Sequence, residues 1–301
     1  MKVDVVQLSG VLADGLRRVA VDLEPIGIQC AWPVFKATSI GCAPLFVKVT
    51  DPDAARRAQA FLSGASGTSF LPKPILSEPI PFNGFEVLCL EWKEATRVNA
   101  EDMTEGQLGS FAAGCRQLSE ILERYRGPVT PLAKEDAPER QHAALADYAQ
   151  RHRFVGRLLQ PLLSVPASER TFGGRELSII HGDLQPKNYG FDGDRLAAVY
   201  DTDDLTVGLA CEDAAYAFTE RARRAELPAP ARQRLTELFL RLVGMSSWPR
   251  DEWLIAVNRA RLRIAARRLA NHPDSSFIAF DIWRRDKPLA ALARALKGEL
   301  C

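Results

Sequence analysis

Residues 178–216 read SIIHGDLQPKNYGFDGDRLAAVYDTDDLTVGLACEDAAY, and this stretch decides the fold. An apolar strand, ELSII, runs into a loop, His181-Gly182-Asp183-Leu184-Gln185-Pro186-Lys187-Asn188, and a second strand, RLAAVY, ends at Asp201. Asp192-Gly193-Asp194 reads as the turn just before that second strand. From Asp183 to Asp213 there are eight acids against two basic residues. Carboxylates gathered at strand ends and loops need a neutralising partner, and a divalent metal carrying a phosphate supplies one. Phosphoryl transfer asks a protein mainly for positioning and charge neutralisation. Asp183 can accept the proton of an acceptor hydroxyl. Asn188, five residues on, can offer an amide oxygen to Mg²⁺, and Asp201 can bridge the metal to phosphate oxygens. Mg²⁺ is a hard ion that takes oxygen ligands and keeps several waters, so two protein ligands plus phosphates suffice.

Outward from that segment, the first ninety-odd residues read mainly as strands: VDLEPIGIQ, WPVFKATSI, PLFVKVT and FEVLCLEW are short, rich in β-branched and aromatic residues, and bounded by turn formers. One helix is expected over 53–62, after Asp51-Pro52 and before Gly64 and Gly67. Beyond Trp92 the periodicity turns helical over 104–125 and 141–163, with a Pro-rich charged loop between them. From Asp213 onward the chain reads as almost all helix, broken at LPAPA, near Trp248-Pro249 and at NHPDSS. The expectation is an α+β chain: a small antiparallel lobe with one helix over residues 1–92, and a larger, mainly helical lobe over 93–301.

The order H-G-D-L-x-x-x-N, then D-x-D after a strand, then G-x-x-x-E-D-A-A-Y, resembles the aminoglycoside phosphotransferase and choline kinase superfamily, small-molecule kinases with a bilobal protein-kinase-like fold. The Asp-x-x-x-x-Asn spacing is shared with protein kinases. Here, however, Gly182 replaces the Arg of H-R-D, Asp201-Thr202-Asp203 stands in place of D-F-G, and no A-P-E follows. The resemblance implies ATP and Mg²⁺ as cofactors, with Asp183 as catalytic base, Asn188 and Asp201 as metal ligands and Asp203 as a further metal ligand. It also implies that His181 braces the loop and Asp213 buttresses it. A core histidine is the plainer reading of His181, and a solvated loop charge that of Lys187.

The first lobe would bind the nucleotide and the second would carry catalysis and the acceptor. Lys48, in L-F-V-K-V, is the resemblance's candidate for the α/β-phosphates, with Lys36 read as a surface strand residue. The hinge Leu90-Glu91-Trp92-Lys93 would offer backbone groups to adenine. Two features depart from the family pattern. Residues 53–63 hold no Glu to pair with Lys48, leaving Gln59 or Asp53 as substitutes, and the phosphate-covering loop Gly27–Pro33 has one glycine. These departures keep a second reading open, a catalytically silent kinase-like binding or regulatory protein.

Composition narrows the partners. The net charge of +1 argues against a polyanionic partner, and no recognition motif points to nucleic acid. Residues 221–301 nonetheless carry 17 Lys/Arg against 8 Asp/Glu. Arg259, Arg263 and Arg267 share one helix face, and Trp283-Arg284-Arg285 adds to the set. The stripe reads either as a solvated face or as a wall for a neutral or anionic small-molecule acceptor such as a sugar or sugar phosphate. None of the six cysteines forms a CxxC pair, which suits reduced thiols in a cytoplasmic protein. No stretch is apolar enough for a membrane span, and the N-terminus lacks a signal-peptide core.

Overall fold

A computed structural model describes residues 3–26, 32–65, 67–130, 137–224, 226–272 and 277–298. The expected phosphate-covering loop Gly27–Pro33 therefore lies largely outside the described residues, as do Cys30 and most of the NHPDSS break. The chain is organised as two compact units: Met1–Arg97 with Arg124–Val129 and Lys187–Leu205, and Val98–Glu123 with Thr130–Pro186 and Thr206–Cys301.

The first unit opens with a helix that the sequence reading lacks, α1 (Val5–Gly15). Its N-cap is Asp4, whose carboxylate accepts from the amides of Val6 (3.0 Å) and Gln7 (3.1 Å). Leu8 and Leu12, one turn apart, are fully buried. The strands are β1 (Asp22–Pro25), β2 (Val34–Thr38), β3 (Leu45–Thr50), β4 (Ile80–Phe82) and β5 (Phe85–Glu91). They form one antiparallel sheet in the order β1-β2-β3-β5-β4. Alternation sorts β3 into two faces. Leu45, Val47 and Val49 join Phe35, Ala37, Val87 and Cys89 in a core closed by Leu8 and Leu12 of α1. Phe46, Lys48 and Thr50 face the other way and are also buried, so the central strand is covered on both sides.

Helix α2 (Pro52–Gly64) starts where Asp51 caps the amides of Asp53 and Ala54 and Pro52 occupies the first turn. The hairpin β7 (Tyr189–Asp192) and β8 (Arg195–Val199) also belongs to this unit, and Gly193 takes φ +58° in its turn. The strand β6 (Ser178–Ile180) belongs to the second unit.

Among its described residues the second unit is mainly helical, with one antiparallel strand pair, β6 and β9 (Thr206–Gly208). Helix α3 (Glu105–Arg124) matches the expected span. The expected helix 141–163 is instead α4 (Pro138–Arg151) followed by single turns α5 (Arg153–Gly156) and α6 (Gln160–Leu163). The chain doubles back at Gly156, where a Cβ would lie 2.5 Å from the Ala149 carbonyl oxygen, a close approach that only glycine permits. The remaining helices are α7 (Glu212–Ala222), α8 (Ala229–Met245), α9 (Arg250–Asn271) and α10 (Ile278–Lys297). Leu145, Tyr148, Leu262, Ala265, Ile278 and Ile282 unite α4, α9 and α10 in one core. Trp253 is fully buried against Phe239, its indole N–H donating to Ser246 Oγ at 3.0 Å. Among the described residues, no helix is long and apolar enough to cross a membrane.

Candidate functional site

In the first unit, Lys48 reaches from the buried centre of the sheet to two acids. Its ammonium bonds Asp201 and sits 2.8 Å from both carboxylate oxygens of Asp203. Lys48 and Asp203 are buried, 6% exposed each. Burial works to discharge Lys48, but Asp201 and Asp203 outweigh it and hold the ammonium's pKa above its ordinary value. Burial pushes Asp203 up to about 6; Lys48 opposes the rise and Asp201 adds to it. Two carboxylates face one cation, so the cluster retains excess negative charge. Asp201 itself takes left-handed backbone angles, φ 67° and ψ 46°, which Asp tolerates better than most residues. Arg57 of α2 donates to the Asp203 carbonyl at 3.3 Å, tying the helix to this turn.

Neither expected substitute for the missing helix glutamate serves Lys48. Gln59 donates to the Leu76 carbonyl at 2.6 Å, and Asp53 lies exposed near Arg56. The acids of the D-x-D motif take that role, because they already neutralise the ammonium. Lys36 stays at the margin, 4.7 Å over the Trp92 ring and 3.9 Å from Glu94.

Asn188, Asp201 and Asp203 all offer oxygen, and the ammonium on Asp201 and Asp203 shows that these two carboxylates gather a cation. Among the described residues no three His, Cys, Asp or Glu side chains form a metal cluster. A hard ion here would draw on carboxylates, the Asn188 amide, and phosphate and water oxygens, which is how Mg²⁺ is usually held.

The hinge strand is engaged within the same unit. The Glu91 amide donates to the Lys73 carbonyl at 2.8 Å, and the Glu91 carboxylate pairs with Lys93 at 3.0 Å. Trp92 donates its indole N–H to Glu94 at 2.8 Å. The Lys93 amide donates to the Tyr200 hydroxyl at 2.9 Å, and that hydroxyl donates back to the Lys93 carbonyl at 3.2 Å. Sequence reasoning missed Tyr200: its signal was only its place beside Asp201.

In the second unit, the loop after β6 is held by main-chain bonds. Asp213, in the first turn of α7, accepts from the His181 amide at 2.6 Å and the Gly182 amide at 2.9 Å. Gly182 takes φ +83°, which explains why glycine rather than arginine stands before Asp183. His181 is fully buried, and its Nδ1 lies 3.3 Å from the Asp183 amide that donates to it. Burial raises the pKa of Asp213, against the pull of His181 and the two amides. Gln185, to which the sequence assigned no role, donates its side-chain amide to the two carboxylate oxygens of Asp183 at 2.6 and 2.8 Å. This fixes the carboxylate's orientation.

The same unit sorts the arginine stripe of α9 into different duties. Arg259 pairs with Glu212 at 3.0 Å and lies 4.0 Å over the Phe172 ring. Arg263 lies 5.0 Å over the ring of Tyr216, a phenol whose pKa burial raises, with Arg263 and Arg267 opposing and Asp183 adding to the rise. Arg263 and Arg267 pair with no carboxylate among the described residues. Asp281, by contrast, gathers Arg268, Arg284 and Arg285, so that part of the basic set is neutralised locally.

The first unit thus carries a buried lysine on a D-x-D acid pair, and the second a glycine-bent H-G-D loop braced by a distant aspartate; each is a feature of the phosphotransferase class. Residues 33–254 match the phosphotransferase enzyme family (APH), and the chain belongs to that family. No curated protein matches the chain in sequence. Similar solved structures include amicoumacin kinase hAmiN in complex with AMP-PNP, Ca²⁺ and Ami, at 14% identity, TM-score 0.60, and 89% of this chain against 88% of that one. Aminoglycoside phosphotransferase APH(4)-Ia, as a thermostable mutant with ADP and hygromycin B, shows 15% identity and TM-score 0.58 over 94% and 98%. Macrolide 2′-phosphotransferase MphH from Brachybacterium faecium shows 14% identity and TM-score 0.54 over 95% and 97%. At such identities the likeness is one of fold.

Proposed function

We propose that this phosphotransferase moves the γ-phosphoryl group of ATP to a hydroxyl of a small molecule, using Mg²⁺. The observation that carries the reading is Lys48 drawn onto Asp201 and Asp203, the two acids that follow the Asp183–Asn188 loop in the family's motif order. Similar folds hold AMP-PNP and ADP, which supports an adenine nucleotide here. Residues 1–92 form the nucleotide-binding lobe and 93–301 the catalytic and acceptor-binding lobe in this reading. Asn188 and Asp201, with Asp203, would hold Mg²⁺, which would supply charge neutralisation at the transferred phosphoryl group. Lys48 leaves its acids for the α/β-phosphates, and the backbone of Glu91, Trp92 and Lys93 reads the base.

Asp183 orients the acceptor hydroxyl and takes its proton, while Gln185 keeps the carboxylate aimed. His181 and Asp213 support the loop without touching the reacting atoms. Arg263 and Arg267, free of described carboxylates, favour a neutral or anionic acceptor, a sugar or sugar phosphate, over a polycation. A strong preference for aminoglycosides in an acceptor screen would overturn that choice. The four described cysteines are free thiols, which fits a reducing, cytoplasmic setting.

One observation favours a second reading, a silent kinase-like binding protein: α2 gives Lys48 no carboxylate. Calorimetry of Mg·ATP with the wild type beside Asp201→Ala separates the two. The expected result is micromolar binding that vanishes in the variant. Absence of binding in both would transfer the weight to the second reading.

A further inference from the structure

Phe46 and Lys48 sit two residues apart on β3 and so share one face of the sheet. Lys48 on that face meets Asp201 and Asp203; Phe46 meets Tyr200, the residue just before Asp201. The two rings are stacked, with centroids 4.7 Å apart and planes at 21°. A planar base slipped between them would need the rings separated by two stacking distances, roughly 7 Å. No such layer exists here. The Tyr200 hydroxyl also takes both polar groups of Lys93, accepting from its N–H at 2.9 Å and donating to its C=O at 3.2 Å. A donor and an acceptor at one edge of a flat ring are what a purine presents to a hinge strand.

We propose that Tyr200 is a tethered surrogate for the nucleotide base: it fills the base slot against Phe46 and Lys93, and must swing out before ATP can dock. The proposal rests on reading Glu91–Lys93 as the base-recognition strand. The tether is short and well placed. The Tyr200 amide donates to the Asn188 carbonyl at 2.8 Å, so the backbone can stay fixed while the side chain changes rotamer. The consequence is a reduced apparent affinity. When only a fraction of molecules hold the slot open, the apparent Kd rises by the inverse of that fraction, about tenfold when one molecule in ten is open. Tripolyphosphate, which has no base, is not subject to this competition.

The test measures Kd by calorimetry for Mg·ATP and for Mg·tripolyphosphate, on wild type, Tyr200→Ala and Tyr200→Leu, with thermal melts to establish folding. Tyr200→Leu keeps an apolar side chain against Phe46 and serves if the alanine variant does not fold. The expected result is an ATP Kd about tenfold lower in the variants, with tripolyphosphate affinity unchanged within about twofold. Equal or weaker ATP binding in the variants, with tripolyphosphate still bound, overturns the surrogate while leaving the nucleotide site standing. Failure of all three proteins to bind either ligand brings down the nucleotide reading, and this inference with it.

Discussion

Two acidic residues, Asp203 and Asp213, lie ten positions apart and are almost equally buried, at 6% exposed each, yet they are satisfied in opposite ways. Asp203 is met by a side chain, the Lys48 ammonium at 2.8 Å. Asp213 is met by the main chain, the His181 and Gly182 amides at 2.6 and 2.9 Å. A lysine on a four-carbon stem can release its carboxylates when another cation arrives, so the first arrangement is exchangeable. Two backbone amides can turn away only if the loop itself is rebuilt, so the second is rigid. A phosphotransferase needs both properties, because metal and nucleotide must enter and leave while the proton-accepting carboxylate keeps its aim.

The sharpest break in that comparison falls at the residue the rigid loop carries. Asp183→Asn keeps the shape and removes the proposed base, so kcat should fall by about 10²–10⁴-fold, the range of general-base catalysis. The Kd for Mg·ATP should change by less than about threefold. Single-turnover kinetics beside calorimetry measure both. Near-normal turnover in this variant would remove Asp183 from the chemistry.

Asp213→Ala comes next in size. It leaves two loop amides without their acceptor, at about 1–3 kcal/mol each when buried. The melting temperature should drop by about 6–12 °C, from roughly 3 kcal/mol in a domain of this size. Asp213→Asn, with one oxygen left to accept, should fall between the alanine variant and wild type. The pH dependence has a definite sign. Burial holds Asp213 above its ordinary value of 3.8 in the fold, so the folded state binds that proton more tightly than the unfolded chain. Its contribution to stability is therefore greatest below the unfolded value. It declines as pH rises to the folded value and is flat beyond. The advantage of wild type over Asp213→Asn in urea unfolding should narrow as pH rises across that window. An advantage that widens would mean that the loop amides, not burial, dominate the carboxyl's energetics.

The rigid side of this comparison was also the more legible in the sequence. His181, Gly182 and Asp183 fall in one continuous segment with Asp213 a fixed distance on, and the Gly182 backbone angle is a demand that a glycine records directly. The exchangeable side depends on contacts between residues far apart in the chain. Lys48 reads as a buried strand lysine, but nothing local says that Asp201 and Asp203 replace a helix glutamate, or that Gln59 turns to Leu76 instead. Phe46 and Tyr200 look like ordinary strand residues until folding stacks them. Helix α1 escaped for a different reason. Its β-branched start, Val5-Val6, and its interior Gly10 weigh against a helix, and only the Asp4 cap and the Leu8–Leu12 spacing record what packing against the sheet decides. Over 141–163 the periodicity continues past His152, and the turn is set by the contact between Gly156 and Ala149, which no period reports.

The exchangeable side can be tested by taking away the cation. Lys48→Met removes the ammonium while keeping most of the stem's bulk, and leaves Asp201 and Asp203 facing each other. Breaking a buried pair usually costs several kcal/mol because a bare charge is left behind. Here Asp201 remains about one-fifth exposed at its side chain, 19%, so water and counter-ions reach the cluster and the loss should be about 1–2 kcal/mol, smaller than for Asp213→Ala. The more telling readout is recovery. If the two acids gather whichever cation is offered, Mg²⁺ binds the folded variant and stabilises it by mass action, in proportion to the logarithm of its concentration above the Kd. Thermal melts of Lys48→Met should therefore rise with added Mg²⁺ toward the wild-type value, while melts of Asp213→Ala stay low at every Mg²⁺ concentration. Equal recovery in both variants would mean that Mg²⁺ acts elsewhere on the fold. No recovery in either would mean that the Lys48 cluster is as rigid as the Asp213 brace.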